Sequence, residues 1–167
     1  MDPRAFEEIA RQELAHVPPR FARRIENVAI LIEDTPAAEV LREEGLGAGE
    51  VLLGLYRGVP AAERGSFYSG VLPDTITLYR EPLLEEAAAL LAERRAGDFA
   101  SAVRLAVRET IWHELGHHFG LSEAAVEARE VAGTNRFGEG GGATRSRRDR
   151  AGLRARVKRL FSVIMGA

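Results

Sequence analysis

The sequence predicts an α+β fold, a small sheet of about three strands packed on one long helix with flanking helices. Three observations carry that prediction. Apolar residues recur at helical spacing near the N-terminus and again between residues 82 and 119. Three short runs at 28–34, 51–59 and 75–81 are rich in β-branched and aromatic residues. The order is helices, strand, helix, strands, helices, without a regular strand-helix alternation.

Asp2 and Pro3 form an N-cap and first-turn pair, and Phe6, Ile9, Ala10 and Leu14 then repeat at helical spacing up to Pro18-Pro19. A short helix is expected over 20–26. VAILIED, 28–34, is a compact apolar run and reads as a buried strand. Thr35-Pro36 opens another short helix, ended by Gly45, Gly47 and Gly49. VLLGLYRGV, 51–59, is a second strand whose interior Gly54 signals a bulge or a close backbone approach. A Gly/Ser-rich loop covers 60–73. TITLYRE, 75–81, alternates its side-chain character like a strand with one covered face, as at a sheet edge. PLLEEAAALLAERR, 82–95, is a helix begun by proline and stopped near Gly97. From Asp98, a plausible N-cap, to Phe119 runs the longest helical pattern, with Phe99, Val103, Val107 and Ile111 on one face; a last helix starts around Ser122.

The 167 residues suit one domain with a sizeable core, and 46% hydrophobic with 29% charged residues is ordinary for a soluble globular chain. No apolar run approaches the ~20 residues of a bilayer span. The acidic, amphipathic start MDPRAFEEIARQEL does not resemble a secretory signal, and a cytoplasmic location is the expectation. Without cysteine, disulfides and thiolate ligation are excluded, and any metal must be held by nitrogen and oxygen. The net charge of −2 conceals an asymmetry. Residues 1–133 carry 14 basic against 23 acidic side chains; residues 134–167 carry 9 against 2. The change falls beside GEGGG at 138–142, so an acidic folded body over 1–133, a Gly-rich joint and a basic tail over 134–167 are expected.

Three of the four histidines lie in WHELGHHFGLSE, 112–123. His113 and His117 are four apart on the long helix, which turns ~400° between them and stacks their side chains on one face, ~6 Å apart along the axis. Two imidazoles so placed can approach a single zinc ion at ~2.0–2.1 Å. Glu114 is offset around the helix, poorly placed to ligate but able to reach a water at the metal and act as general base. Gly120 can take the left-handed conformation that ends the helix and folds Leu121 back. Glu123 then arrives six residues after His117 as a third ligand, leaving a fourth position for water. His118 points about 100° away from His117 and reads as a residue behind the ligands or on the surface. Other readings stand beside these. The paired histidines could be core residues bonded to backbone, and Glu123 could serve only the first turn of the last helix. Two imidazoles and a carboxylate suit one zinc ion, and also iron, cobalt or manganese.

HELGHHFGLSE resembles the active-site segment of the minimal zincin-like metallopeptidases, small bacterial single-domain proteins with an HExxHHFG segment followed by an acidic residue. GLYRGVPAAERGSFYSGVLPDTITLYREPL, 54–83, is similar to the same group, and the likeness covers roughly residues 1–130. It implies a minimal zincin-like fold, a zinc-dependent peptidase, His113 and His117 as ligands, Glu114 as base and Glu123 in the third-ligand position. Members often carry aspartate there; glutamate is longer by one methylene. In zincins an extended substrate pairs with an edge strand beside the metal, and 75–80 is the candidate here. Tyr68 and Tyr79 are candidate donors to an oxyanion, with packing as the alternative role for each. Met165, in the tail, is a poor counterpart of the methionine turn of larger relatives.

In the tail, Leu153, Val157, Leu160, Phe161 and Ile164 form an apolar stripe among Arg150, Arg154, Arg156, Lys158 and Arg159. Such a helix suits weak contact with anionic surfaces, and without interleaved aromatics no specific nucleic-acid recognition is expected. The expected partner is a peptide or protein substrate. Two other functions remain open on the sequence: a binding module whose metal is structural, and a regulatory protein acting through the tail.

Overall fold

The computed structural model describes residues 1–25, 27–47, 49–61, 64 and 72–132. The basic tail and Tyr68 lie outside the described residues. The elements are α1 (Pro3–Ala15), α2 (Pro19–Ala22), β1 (Val28–Glu33), α3 (Ala38–Glu43), β2 (Gly54–Arg57), β3 (Asp74–Tyr79), α4 (Arg80–Ala92), α5 (Phe99–His118) and α6 (Glu123–Ala132). The architecture is the expected α+β arrangement. No helix among the described residues is long and apolar enough to cross a membrane.

Two helix starts form as the residue types require. The Asp2 carboxylate accepts from the Arg4 amide at 2.9 Å, with Pro3 in the first turn, and Asp98 accepts from the Ser101 amide at 2.8 Å to open α5. Each cap satisfies a donor that has no partner inside its helix.

Strand placement departs from the sequence reading. The order is β1-β3-β2, with β3 parallel to β1 and antiparallel to β2. Residues 75–80 are therefore not an edge: β3 is the central strand, and Ile76, Leu78 and Tyr79 are all buried. Thr75 and Thr77, which made it look one-sided, lie opposite Ile76 and Leu78, and that second face is covered too. Leu52, Leu55 and Tyr79 pack there with Val40, Leu41 and Leu46. Conversely, the apolar run 28–33 is not fully buried. It is an edge strand whose Ile30 and Ile32 pack on the core while Leu31 is 43% exposed. Strand β2 is shorter than expected and, among the described residues, forms the other edge.

The main core joins α1 (Phe6, Ile9, Ala10), β3 (Ile76, Leu78), α4 (Leu83, Ala87, Leu90) and α5 (Val103, Val107, Ile111, Leu115). Only Phe99 of the expected α5 stripe remains exposed, at 38%, directly after the N-cap Asp98. Burying each large side chain contributes about 1.5–3 kcal/mol, so α5, with buried residues along most of its length, is held chiefly by its packing.

One group works against this packing. Glu44, at the C-cap of α3, is 1% exposed, and among the described residues neither carboxylate oxygen has a hydrogen-bond partner. Burial pushes its pKa up; Arg57 pulls it back, and Glu43 and Glu114 push it further up. A carboxyl with a raised folded-state pKa contributes stability that is complete below its unfolded value and lost as pH rises through the folded one. Glu44→Gln, which keeps the shape but cannot ionise, is thus expected to raise the melting temperature at pH 8 and to leave it nearly unchanged at pH 4. Equal effects at both pH values would show that burial does not raise the Glu44 pKa in the folded protein.

Candidate metal centre

The last turns of α5 set the centre. His113, Glu114, His117 and His118 are all 3% exposed or less, an unusual density of polar groups for a buried stretch. After Phe119 the helix stops on Gly120, whose φ of 87° is the left-handed region where a Cβ would be strained. The Gly120 amide donates to the His117 carbonyl at 2.8 Å and the Leu121 amide to the Gly116 carbonyl at 3.0 Å. These two bonds close a Schellman turn and reverse the chain, as the sequence led one to expect. Ser122 then opens α6, its carbonyl accepting from Val126 at 2.9 Å.

Helix α6 can fold back closely because residue 116 is glycine. A Cβ there would sit 2.8 Å from Val126 Cγ2, inside the contact limit of fully buried Val126. The sequence reading assigned no role to Gly116, although its place between the two histidines on the helix that α6 must cross was a usable signal.

The reversal brings Glu123 to the histidines. His113 Nε2 and His117 Nε2 are 3.1 Å apart, and Glu123 Oε2 lies 3.3 Å from the first and 3.2 Å from the second. Ligand atoms at ~2.0–2.1 Å from a tetrahedral zinc are separated by roughly 3.3 Å. The triangle therefore has the size that one such ion would require, and these three side chains could hold a metal. The opposite ring atoms are fixed as well. His117 Nδ1 lies 3.0 Å from the Leu121 carbonyl oxygen and His113 Nδ1 lies 2.9 Å from Glu130 Oε1. A carbonyl and a carboxylate only accept, so each Nδ1 carries a hydrogen and donates. In the neutral rings both Nε2 lone pairs then face the buried Glu123 oxygen. Three electron-pair donors aimed at one point call for positive charge between them. When that charge is carried by the rings, burial acts to raise the Glu123 pKa, but the two imidazoles outweigh it and hold the carboxyl down at about 2.

Glu114, the residue after His113, lies against the start of β2. A Cβ on Gly54 would be 2.6 Å from Thr110 Cγ2 and 3.1 Å from Glu114 Oε1. Gly54 is thus a place of close backbone approach, one of the two possibilities its position offered, and it lets β2 lie directly against the α5 face that carries Glu114.

His118 is not at the surface. It is fully buried, with Nε2 donating to the Arg24 carbonyl at 3.1 Å and Nδ1 3.3 Å from Asp74 Oδ2. Burial pushes its pKa down; the Arg24 carbonyl and Asp74 act the other way. Asp74, 2% exposed, also accepts from the Tyr56 hydroxyl at 2.6 Å and from the Arg64 guanidinium. The His118 carbonyl accepts from the Ala61 amide at 2.7 Å. Tyr79 belongs to the cluster on the sheet face away from α5, and burial raises its hydroxyl pKa to about 12. It packs in that cluster, the alternative role its position offered. Asp74 and Glu130 escaped the sequence reading: Asp74 meets Arg64, Tyr56 and His118 across the sheet and loops rather than at helical spacing, whereas Glu130, seven residues after Glu123 on one helix, shared its face.

The model of one protein family, the zincin-like metallopeptidases, matches residues 25–133, more than half of the chain and the part that holds every residue of the centre. No curated protein matches it. By its fold, its metal-sized triad and this match, the chain belongs to the zincin-like metallopeptidase family.

Proposed function

We propose that the protein is a zinc-dependent peptidase, with residues 1–133 as the peptidase domain and 134–167 as a basic appendage. The observation that carries this reading is the 3.1–3.3 Å triangle of His113, His117 and Glu123, with the buried Glu114 next to His113 on the same helix. His113, His117 and Glu123 would hold one ion with three protein ligands, the number found in catalytic rather than structural zinc sites. A zinc ion held there would supply Lewis acidity toward the scissile carbonyl and would lower the pKa of a bound water toward ~7. Glu114 takes a proton from the attacking water and returns it to the departing amine. The longer side chain of glutamate at position 123 suits its origin in the first residue of α6, from which it reaches back to α5.

The substrate-binding strand is reassigned. Strand β3 has both neighbours occupied and cannot pair with a peptide, whereas β2 is an edge next to Glu114 through Gly54. An extended peptide adding along β2 by backbone hydrogen bonds is held next to the reacting groups. Elemental analysis of gently purified protein is expected to find about one zinc per chain, and a peptide-library digest to show cleavage that chelation abolishes and zinc restores. A full complement of zinc with no cleavage of any peptide, and a lower melting temperature on chelation, would leave a metal-stabilised binding module instead.

A further inference from the structure

Helix α6 presents two carboxylates to α5, and only one of them faces the ion position. Glu123 and Glu130 are seven residues apart, two helical turns, on the side of α6 where Val126 packs over Gly116. Glu123 Oε2 meets the Nε2 atoms of both histidines, while Glu130 Oε1 meets His113 from behind, at Nδ1. His117 has a neutral carbonyl, that of Leu121, in the equivalent place. The two rings are thus oriented by groups of different charge.

We propose that Glu130 is a positioning residue of the metal centre. Its carboxylate fixes the His113 ring with Nε2 toward the ion and, through its charge, makes that ring the stronger donor of the pair. This rests on the reading of the triad as a zinc site. A carboxylate behind a ligating imidazole sets the tautomer, restrains ring rotation and raises basicity at the other nitrogen. The side chain of Glu130 is 23% exposed and that of His113 2%, so the contact lies mostly away from water and is weakly screened. One helix therefore delivers both the third ligand and the group that aligns the first, and the close approach at Gly116 seats both at once.

The test compares full-length wild type, Glu130→Gln and Glu130→Ala by competition with a chromophoric chelator for zinc, alongside melting of the metal-free proteins. Loss of such a partner weakens metal binding about 10–100-fold, the loss expected for Glu130→Ala. Glu130→Gln, whose amide oxygen still accepts from Nδ1 but carries no charge, is expected to lose several-fold. Metal-free melting temperatures should stay together, whereas a merely structural Glu130 would lower them and leave zinc affinity alone. Wild-type affinity in Glu130→Ala overturns the proposal, as does wild-type affinity in Glu130→Gln should the alanine variant fail to fold. If wild type itself takes up no zinc, the zinc-site reading fails first and this assignment with it.

Discussion

Glu114→Gln is expected to lower kcat/KM for peptide cleavage by about 10²–10⁴-fold while the protein keeps its zinc, the range that a general acid–base group contributes. The amide copies the shape of the carboxylate but cannot accept a proton at neutral pH. Its isosteric fit matters here because the side chain is 3% exposed and lies against β2, where added bulk would displace the strand. Metal content should not change, since the converging atoms belong to His113, His117 and Glu123. Measuring cleavage and zinc stoichiometry on one preparation separates the chemistry from the site. Undiminished cleavage in a zinc-loaded variant would remove Glu114 from the mechanism, and loss of zinc would give it a part in building the site.

How much of this was legible depends on how locally each feature is encoded. His113 and His117 converge because four residues return a helix to the same face, a geometry that needs no tertiary information. Gly120 and Asp98 act on their own helix ends, and both behave as their residue types require. The strands are different. Hydrophobicity alone cannot say which of two strands is flanked on both sides, and Thr77, buried at 7% exposure, mimics a solvent-facing position because a hydroxyl counts as polar in the pattern. The edge and centre were therefore exchanged, and with them the strand open to a peptide. His118 was obscured in another way: its angle from His117 says that it leaves the ligand face, but what it meets there comes from Arg24 and Asp74, each more than forty residues away.

That distant contact is also the basis of the largest expected change in stability. Asp74→Ala removes a carboxylate that is 2% exposed and receives the Tyr56 hydroxyl, the Arg64 guanidinium and the approach of His118. Deleting one member of a buried charged pair costs about 3–5 kcal/mol, because the partner keeps its charge and loses its counter-ion. The Arg64 side chain is only 17% exposed, so water restores little of the lost interaction. For a domain of this size each kcal/mol moves the melting temperature by roughly 2–4 °C, and a fall of about 6–20 °C is expected. Asp74→Asn should lose less, since its amide oxygen still accepts from Tyr56. The effect should also reach the His113–His117–Glu123 centre, because Asp74 meets His118, the residue next to His117, whose carbonyl holds the Ala61 amide. Thermal melts with and without zinc measure both parts: if the alanine variant melts within 1–2 °C of wild type in each state, on a scale where 1 kcal/mol is about 2–4 °C, the Asp74 cluster is not what anchors the end of α5.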